Sequence, residues 1–81
     1  MAADPMSRLR WRCRRGTQEL DRILSRFLAD GYEALDSRGR ANFERLLDCE
    51  DDHLQDWLIL GKPTDGEFQP IVRAVRDASG L

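Results

Sequence analysis

The residue types that favour specific chemistry are concentrated in one segment, Arg14-Arg15-Gly16-Thr17-Gln18-Glu19-Leu20-Asp21. Arg15 can bind a carboxylate through two parallel hydrogen bonds, and Glu19 suits the first turn of a following helix. Gly16 permits backbone angles that other residues avoid, and it lets another surface approach the main chain closely. The segment therefore predicts a docking surface. The alternative is a local cap, in which Gly16 is the N-cap of the helix and Glu19 its N3 partner.

A second cluster places five carboxylates around the only histidine, His53: Asp48, Glu50, Asp51, Asp52 and Asp56. Zinc prefers several nitrogen or sulfur ligands, and here only His53 and Cys49 supply them. The acids also lack the spacing of an EF-hand loop. We therefore predict that these residues cap a helix and form a solvated acidic face, and we predict no metal site. The acidic cluster can also neutralise the arginine-rich segment within the fold.

No catalytic residue is predicted. His53 is not accompanied by a recognisable nucleophile motif, and no glycine-rich loop is spaced to hold a phosphate. Cys13 lies among arginines that would lower its pKa if the thiol were exposed, so a thiol redox sensor is one alternative function. A partly buried structural cysteine is the ordinary expectation for this residue.

Charge is segregated along the chain. The net charge is −2, but residues 1–26 carry +4 and residues 27–81 carry −6, and twelve of the thirteen basic residues are arginines. The N-terminal region is therefore the expected docking surface for an acidic partner. A nucleic-acid-binding module is a second alternative, but the pI of about 5.3 argues against it, because such domains usually have a pI above about 9.

The clearest helical pattern lies between Thr17 and Asp30. Its apolar residues recur at the i, i+3, i+4, i+7, i+8 spacing of an amphipathic helix: Leu20, Ile23, Leu24, Phe27 and Leu28. Gly31 is placed to end this helix as a left-handed cap. Asp36 is predicted to be the N-cap of the next helix, which carries Phe43, Leu46 and Leu47.

Two more helices are predicted in the C-terminal half. Asp51 and Asp52 are expected to cap a short third helix, which ends at Gly61-Lys62-Pro63. The last helix contains Pro70, and proline is tolerated only in the first turn of a helix. This helix therefore either starts near Gly66 or Glu67, or is kinked.

The N-terminal stretch has the wrong period for a helix. Leu9, Trp11 and Cys13 alternate with arginines as in a strand, but a lone strand would have nothing to pair with. Residues 7–14 are therefore predicted to form a short irregular helix. The chain divides into a disordered leader over 1–6, one all-α domain over 7–78, in the form of a compact bundle of about five short helices, and a tail over 79–81.

Cysteine usage and hydropathy indicate the compartment. Cys13 and Cys49 are 36 positions apart and form no disulfide framework, which favours a reducing cytoplasmic compartment. No apolar run approaches the roughly 20 residues of a membrane span.

The motif Trp11-x-Cys13-Arg14-Arg15-Gly16-x-x-Glu19-Leu20-Asp21 resembles the RGxxE signature of the succinate dehydrogenase assembly factor 2 family, the bacterial FAD assembly factors. The resemblance continues through Phe43-x-Arg45-Leu46-Leu47, Asp51-Asp52-x-Leu54-x-x-Trp57-Leu58 and Gly61-Lys62-Pro63, and it covers roughly residues 7–77.

This resemblance implies a bundle of about five helices and a non-enzymatic function. The factor would bind the flavoprotein subunit of succinate dehydrogenase, and often that of fumarate reductase, and promote covalent attachment of FAD. Arg15, Gly16 and Glu19 would form the centre of the binding surface. Its flanking residues would be Arg14, Trp11, Asp51 and Asp52. FAD would belong to the partner, because the chain has no dinucleotide fingerprint and is not expected to bind free FAD stably. We expect a monomer.

Overall fold

The computed structural model describes residues 4–80, which form five α-helices. They are α1 (Pro5–Arg12), α2 (Gln18–Asp30), α3 (Ser37–Leu47), α4 (Asp51–Leu54) and α5 (Gln69–Ala78). α4 continues directly into a π-helical turn over Gln55–Ile59, and 3₁₀ turns cover Tyr32–Ala34 and Gly66–Phe68. The described part of the chain contains no strand. The predicted all-α fold with five helices is confirmed.

Helix α1 begins earlier and is more regular than the sequence pattern predicts. The carboxylate of Asp4 accepts a hydrogen bond from the Met6 N–H at 3.0 Å, and Pro5 occupies the start of the helix, where it is favoured. Residues 4–6, which were predicted to belong to the leader, thus cap or form α1, while residues 1–3 lie outside the described residues. The strand-like alternation was misleading because Leu9 in α1 and Cys13, the C-cap of α1, are four residues apart, lie on the same side and are both buried.

Helix α2 supplies the central apolar stripe of the core. All five of its periodic apolar residues are buried, as predicted: Leu20, Ile23, Leu24, Phe27 and Leu28. The prediction for Gly31 was wrong, since its φ is −123° and not left-handed. A Cβ on Gly31 would lie 2.6 Å from the Phe27 ring, so close packing against that ring explains the glycine.

Helix α3 completes an aromatic cluster in the core. Asp36 is its N-cap, as predicted, and the Asp36 carboxylate accepts the Gly39 N–H at 2.7 Å. Phe43 is fully buried, with its ring centroid 5.3 Å from that of Phe27 and 5.6 Å from that of Tyr32. These rings hold α3 against α2.

The segment from α4 to the π-helical turn is not capped as predicted. Its N-cap is Glu50, which makes no side-chain capping bond, and Asp51 and Asp52 lie inside the first turn. At the other end the Leu60 N–H bonds to the Gln55 carbonyl at 3.0 Å, the i→i−5 bond of a π-helix. Gly61, with φ +70°, then ends the segment, in agreement with the prediction.

Helix α5 accommodates its proline without a kink. The 3₁₀ turn that begins at Gly66 leads into α5, and Pro70 lies in the first turn of the helix, where no N–H is needed. Of the two predicted alternatives, the early start is therefore correct. Ser79 is the C-cap, and Leu81 lies outside the described residues. Among residues 4–80, no helix combines the length and apolarity that crossing a bilayer requires.

Candidate partner-binding site

Arg15 is bound by its own chain on every nitrogen of the guanidinium. Its Nε donates to Asp51 Oδ1 at 2.8 Å, its Nη1 to the Leu47 carbonyl at 2.8 Å, and its Nη2 to the Cys49 carbonyl at 2.7 Å. Nη1 also donates to the Arg12 carbonyl at 3.2 Å, and the side chain is only 17% exposed. The carboxylate that Arg15 was predicted to grip in a partner is thus supplied within the chain by Asp51. This interaction ties the α1–α2 connection to the α3–α4 connection.

Two further residues, Arg12 and Asp21, hold the same junction; the sequence motif includes Asp21, but no role was predicted for either residue. Arg12 donates to the Glu44 carbonyl at 3.0 Å and to the Asp48 carboxylate, which links α1 to α3. The Asp21 carboxylate accepts the backbone N–H of Arg15. The signal for Asp21 was its position in the first turn of α2, where a carboxylate can bond N–H groups of the preceding chain. The prediction that the acidic cluster neutralises the arginine-rich segment is confirmed for the Arg12–Asp48 and Arg15–Asp51 pairs.

Gly16 projects its α-carbon into open space. Its φ is +87°, a left-handed angle that side-chain-bearing residues rarely adopt, and a Cβ built on it would have no neighbour within 4 Å. The absence of a side chain therefore leaves an exposed stretch of main chain beside the start of α2. A partner can approach this backbone closely, and a large side chain at Gly16 would stand in its way.

The local-cap alternative for this segment is wrong. The N-cap of α2 is Thr17, whose hydroxyl accepts the Leu20 N–H at 3.4 Å. Glu19 is therefore one position too early to be the N3 partner of a capping box. Its side chain is exposed and makes no hydrogen bond or ion pair with residues 4–80.

Trp11 and Arg14 form an exposed pair next to Gly16 in the sequence. Trp11 is 73% exposed, and the guanidinium carbon of Arg14 lies 5.7 Å from the centroid of its indole ring. Trp57, the other tryptophan, is buried. Tryptophan and arginine are enriched among the residues that dominate binding energy at interfaces, and an exposed tryptophan has little to contribute to the core.

The remaining predicted site residues occupy different surroundings. Glu19 lines a shallow depression of about 370 Å³ together with Arg22, Arg26 and Ile59. Asp52 is exposed, one position after the Asp51 that pairs with Arg15. The structure thus brings Arg15 into direct contact with Asp51 and Trp11 with Arg14, and it leaves Gly16, Glu19 and Asp52 open to solvent.

Cys13 has the surroundings of a structural residue. Its side chain is fully buried, and burial raises the pKa of the thiol from 9.0 to about 11, although Arg15 and Arg12 act to lower it. A redox-sensing thiol requires the opposite, namely exposure and a lowered pKa. The expectation of a buried structural cysteine is confirmed, and the redox alternative loses its basis.

His53 and its acidic neighbours form no constellation that suggests chemistry. The His53 ring stacks on Trp57 with centroids 5.4 Å apart, while His53 itself is exposed. Within residues 4–80, no group of three or more histidine, cysteine or acidic side chains is arranged to hold a metal ion.

Comparison with known proteins identifies the family. Residues 7–79 match the Sdh5 family, described as the flavinator of succinate dehydrogenase. The chain belongs to this family. It is 38% identical over 73 residues to the FAD assembly factor SdhE of Pseudomonas aeruginosa, an alignment that covers 89% of this chain and 87% of the relative.

Other relatives carry the same description. The FAD assembly factor SdhE of Coxiella burnetii is 40% identical over 74 residues, with 89% of each chain covered. That of a Serratia species is 38% identical over 77 residues, covering 94% of this chain and 88% of the relative. The predicted resemblance is confirmed, and the family is one of assembly factors rather than enzymes.

Proposed function

We propose that this chain binds the flavoprotein subunit of succinate dehydrogenase and promotes covalent attachment of FAD to it. Membership of the flavinator family supports this function. The observation that carries the site is Gly16, whose positive φ and open surroundings present bare main chain to a partner. We define the docking surface as Trp11, Arg14, Gly16 and Glu19, with Asp52 as a further contact.

In this proposal, Arg15 and Asp51 do not contact the partner but hold the docking surface in position. Their ion pair, together with the three carbonyl bonds of Arg15, fixes the connection on which Gly16 lies. A connection that is already rigid loses little conformational entropy on binding, so more of the contact energy appears as affinity. The role predicted for Arg15 thus changes from direct recognition to positioning of its neighbours.

The factor would assist by binding and orientation. It would hold an incompletely assembled flavoprotein so that the partner's FAD and the acceptor histidine of the partner are aligned, and proximity accelerates the attachment. The chemistry is the partner's own. Neither Cys13, which is buried, nor His53, which stacks on Trp57, has a part in it.

The test is the covalent flavin on the succinate dehydrogenase flavoprotein subunit, read by in-gel fluorescence. The subunit is produced with this chain, without it, or with Gly16→Arg. Gly80→Arg is the matched control, because Gly80 also has a positive φ, +76°, and open space around its α-carbon. Both substitutions cost a similar backbone strain of about 1–2 kcal/mol. We expect strong fluorescence with the unmodified chain and with Gly80→Arg, and weak fluorescence with Gly16→Arg.

Two outcomes would contradict the proposal. Equal fluorescence in all samples, including the one without this chain, would remove the proposed function. Unfolding of Gly16→Arg in circular dichroism, with Gly80→Arg folded, would give Gly16 a structural role in place of an interface role. The same assay on the flavoprotein subunit of fumarate reductase tests whether it is a second client.

We further infer a monomer that acts in the cytoplasm. Cys13 and Cys49 are both free thiols, which fits a reducing compartment. Light scattering of the purified chain would then give a mass near 9.4 kDa, independent of concentration.

A further inference from the structure

A second, larger groove lies between the segment that follows the π-helical turn, Gly61–Thr64, and helix α5. It has a volume of about 760 Å³. Three cations line it, Lys62, Arg73 and Arg76, with a single carboxylate, Asp77. The groove is therefore lined mainly by positive charge, whereas residues 27–81 as a whole carry a net charge of −6.

Arg76 lines this groove, and only one nitrogen of its guanidinium donates a hydrogen bond among the described residues. Its Nη1 donates to the Trp57 carbonyl at 3.5 Å, and the guanidinium lies over Gly61, where a Cβ would be 2.6 Å from that nitrogen. Only a glycine therefore leaves room for the guanidinium in this position. In the described part of the chain, neither Arg76 nor Arg73 forms an ion pair with a carboxylate. Arg76 thus presents a guanidinium without a carboxylate partner to the groove, and a guanidinium is the group best suited to bind a carboxylate.

Lys62 is the third cation and the only lysine of the chain. Its Nζ lies 3.4 Å from Asp56 Oδ1, and the two side chains are 58% and 40% exposed. An ion pair this open contributes little to stability and exchanges readily for another carboxylate. Lys62 can therefore turn towards an incoming acid.

An exposed leucine adjoins the groove. Among residues 4–80, only Trp11 and Leu60 are large apolar residues with exposed side chains, and Leu60 is 63% exposed immediately before Gly61. Trp11 belongs to the docking surface, where it lies beside Arg14. Leu60 is the second such residue, and it directly precedes the segment that lines the groove.

We propose that this groove binds an acidic segment of the same client flavoprotein, as a second contact separate from the docking surface. The inference rests on the proposed function, and charge complementarity identifies the occupant: Arg73, Arg76 and Lys62 pair with aspartate or glutamate side chains of the client. Asp51, which pairs with Arg15, begins the helical segment Asp51–Ile59, and Gly61 follows two residues after its end. That segment is about 13 Å long at about 1.5 Å per residue, and in this proposal one client makes both contacts. Two linked contacts bind more tightly than either alone.

The first measurement is the dissociation constant for the succinate dehydrogenase flavoprotein subunit. Arg73→Glu reverses an exposed charge in the groove. Arg38→Glu reverses an exposed charge in the first turn of α3 and belongs to the residues of neither contact. We expect Arg73→Glu to weaken binding about tenfold and to make it less dependent on salt, and Arg38→Glu to change it less than about twofold. Circular dichroism checks that both variants keep their helices.

The second measurement is zero-length crosslinking of the same complex with a carbodiimide. The reagent joins an amine and a carboxylate in direct contact as an amide and takes up the water that is released. Because the chain has one lysine, a crosslink from Lys62 to a client aspartate or glutamate identifies the acidic segment by mass spectrometry. Lys62→Arg keeps the charge and removes the amine, so that crosslink must disappear.

The outcomes separate this inference from the proposed function. If the unmodified chain binds the client, an unchanged dissociation constant for Arg73→Glu overturns the groove contact and leaves the docking surface standing. A complex without a Lys62 crosslink overturns it as well. If the unmodified chain does not bind the client at all, the proposed function and the groove contact fall together.

Discussion

At the scale of single residues, Arg15 satisfies main-chain groups that the helices leave without partners. The carbonyl of Leu47, at the end of α3, and that of Cys49, in the connection to α4, both accept from its guanidinium. Carbonyls at helix ends have no intrahelical donor, and leaving such groups unpaired in the interior costs free energy. One planar fork serves two carbonyls and a carboxylate at once, which a lysine ammonium on its flexible stem does not reproduce.

We therefore expect Arg15→Lys to lower the free energy of unfolding by about 2–3 kcal/mol, because hydrogen bonds from a charged donor are lost. Urea denaturation followed by circular dichroism measures this. Arg14→Lys is the control, since Arg14 is exposed and should change stability by less than about 0.5 kcal/mol. Equal stability of the two variants would show that the bonds of Arg15 do not support the fold.

A second single residue, Cys13, should make the free energy of unfolding depend on pH. Its pKa is about 11 in the folded chain, above the ordinary value of 9.0, because burial disfavours the thiolate. As pH rises, the Cys13 thiol loses its proton in the unfolded chain before it does so in the folded chain, and this favours unfolding. The contribution of the protonated thiol to the free energy of unfolding is therefore complete below pH 9 and is lost as pH rises towards 11. We expect a loss of about 2 kcal/mol over that window in urea denaturation. The decline should be smaller in Cys13→Ala, and an equal decline in both would exclude Cys13 as its source.

At the scale of elements, helix α3 depends on its N-cap. Asp36 accepts the Gly39 N–H at 2.7 Å, which satisfies one of the donors that every helix start leaves open. Asp36→Ala should lower the free energy of unfolding by about 1 kcal/mol. Ser37→Ala, one position later and also exposed, is the control and should have almost no effect. Thermal unfolding of the two variants distinguishes them, and matching midpoints would refute the capping role.

At the scale of the whole molecule, stability depends on one small core. A chain of 81 residues supports a net stability of only about 3–5 kcal/mol, and truncating a buried phenylalanine costs about as much. Phe43 is fully buried against Phe27 and Tyr32. Phe43→Ala should therefore be largely unfolded at 25 °C in circular dichroism. Phe43→Leu should stay folded with a loss of about 1–2 kcal/mol. A cooperative, native-like melt of Phe43→Ala would contradict this account.

The sequence by itself determined the features that depend on neighbours within about four positions. The apolar stripe of α2, the Asp36 cap and the end of the π-helical turn at Gly61 followed from helical spacing and from local backbone chemistry. The exposed Gly16 was found in the same way, because a glycine between a basic stretch and a helix start is a local signal. The arginine–glycine motif also led to the family, which the comparisons confirm.

Only the tertiary structure decided what the residues of that motif touch. Three partners of the Arg15 guanidinium, Leu47, Cys49 and Asp51, lie 32 to 36 positions away, and no local pattern indicates which carboxylate or carbonyl packing will bring to it. The burial of Cys13, the crowding of Gly31 by Phe27 and the position of Arg76 over Gly61 have the same origin. Each depends on how whole helices pack, and packing brings together side chains whose separation along the chain carries no periodic signal.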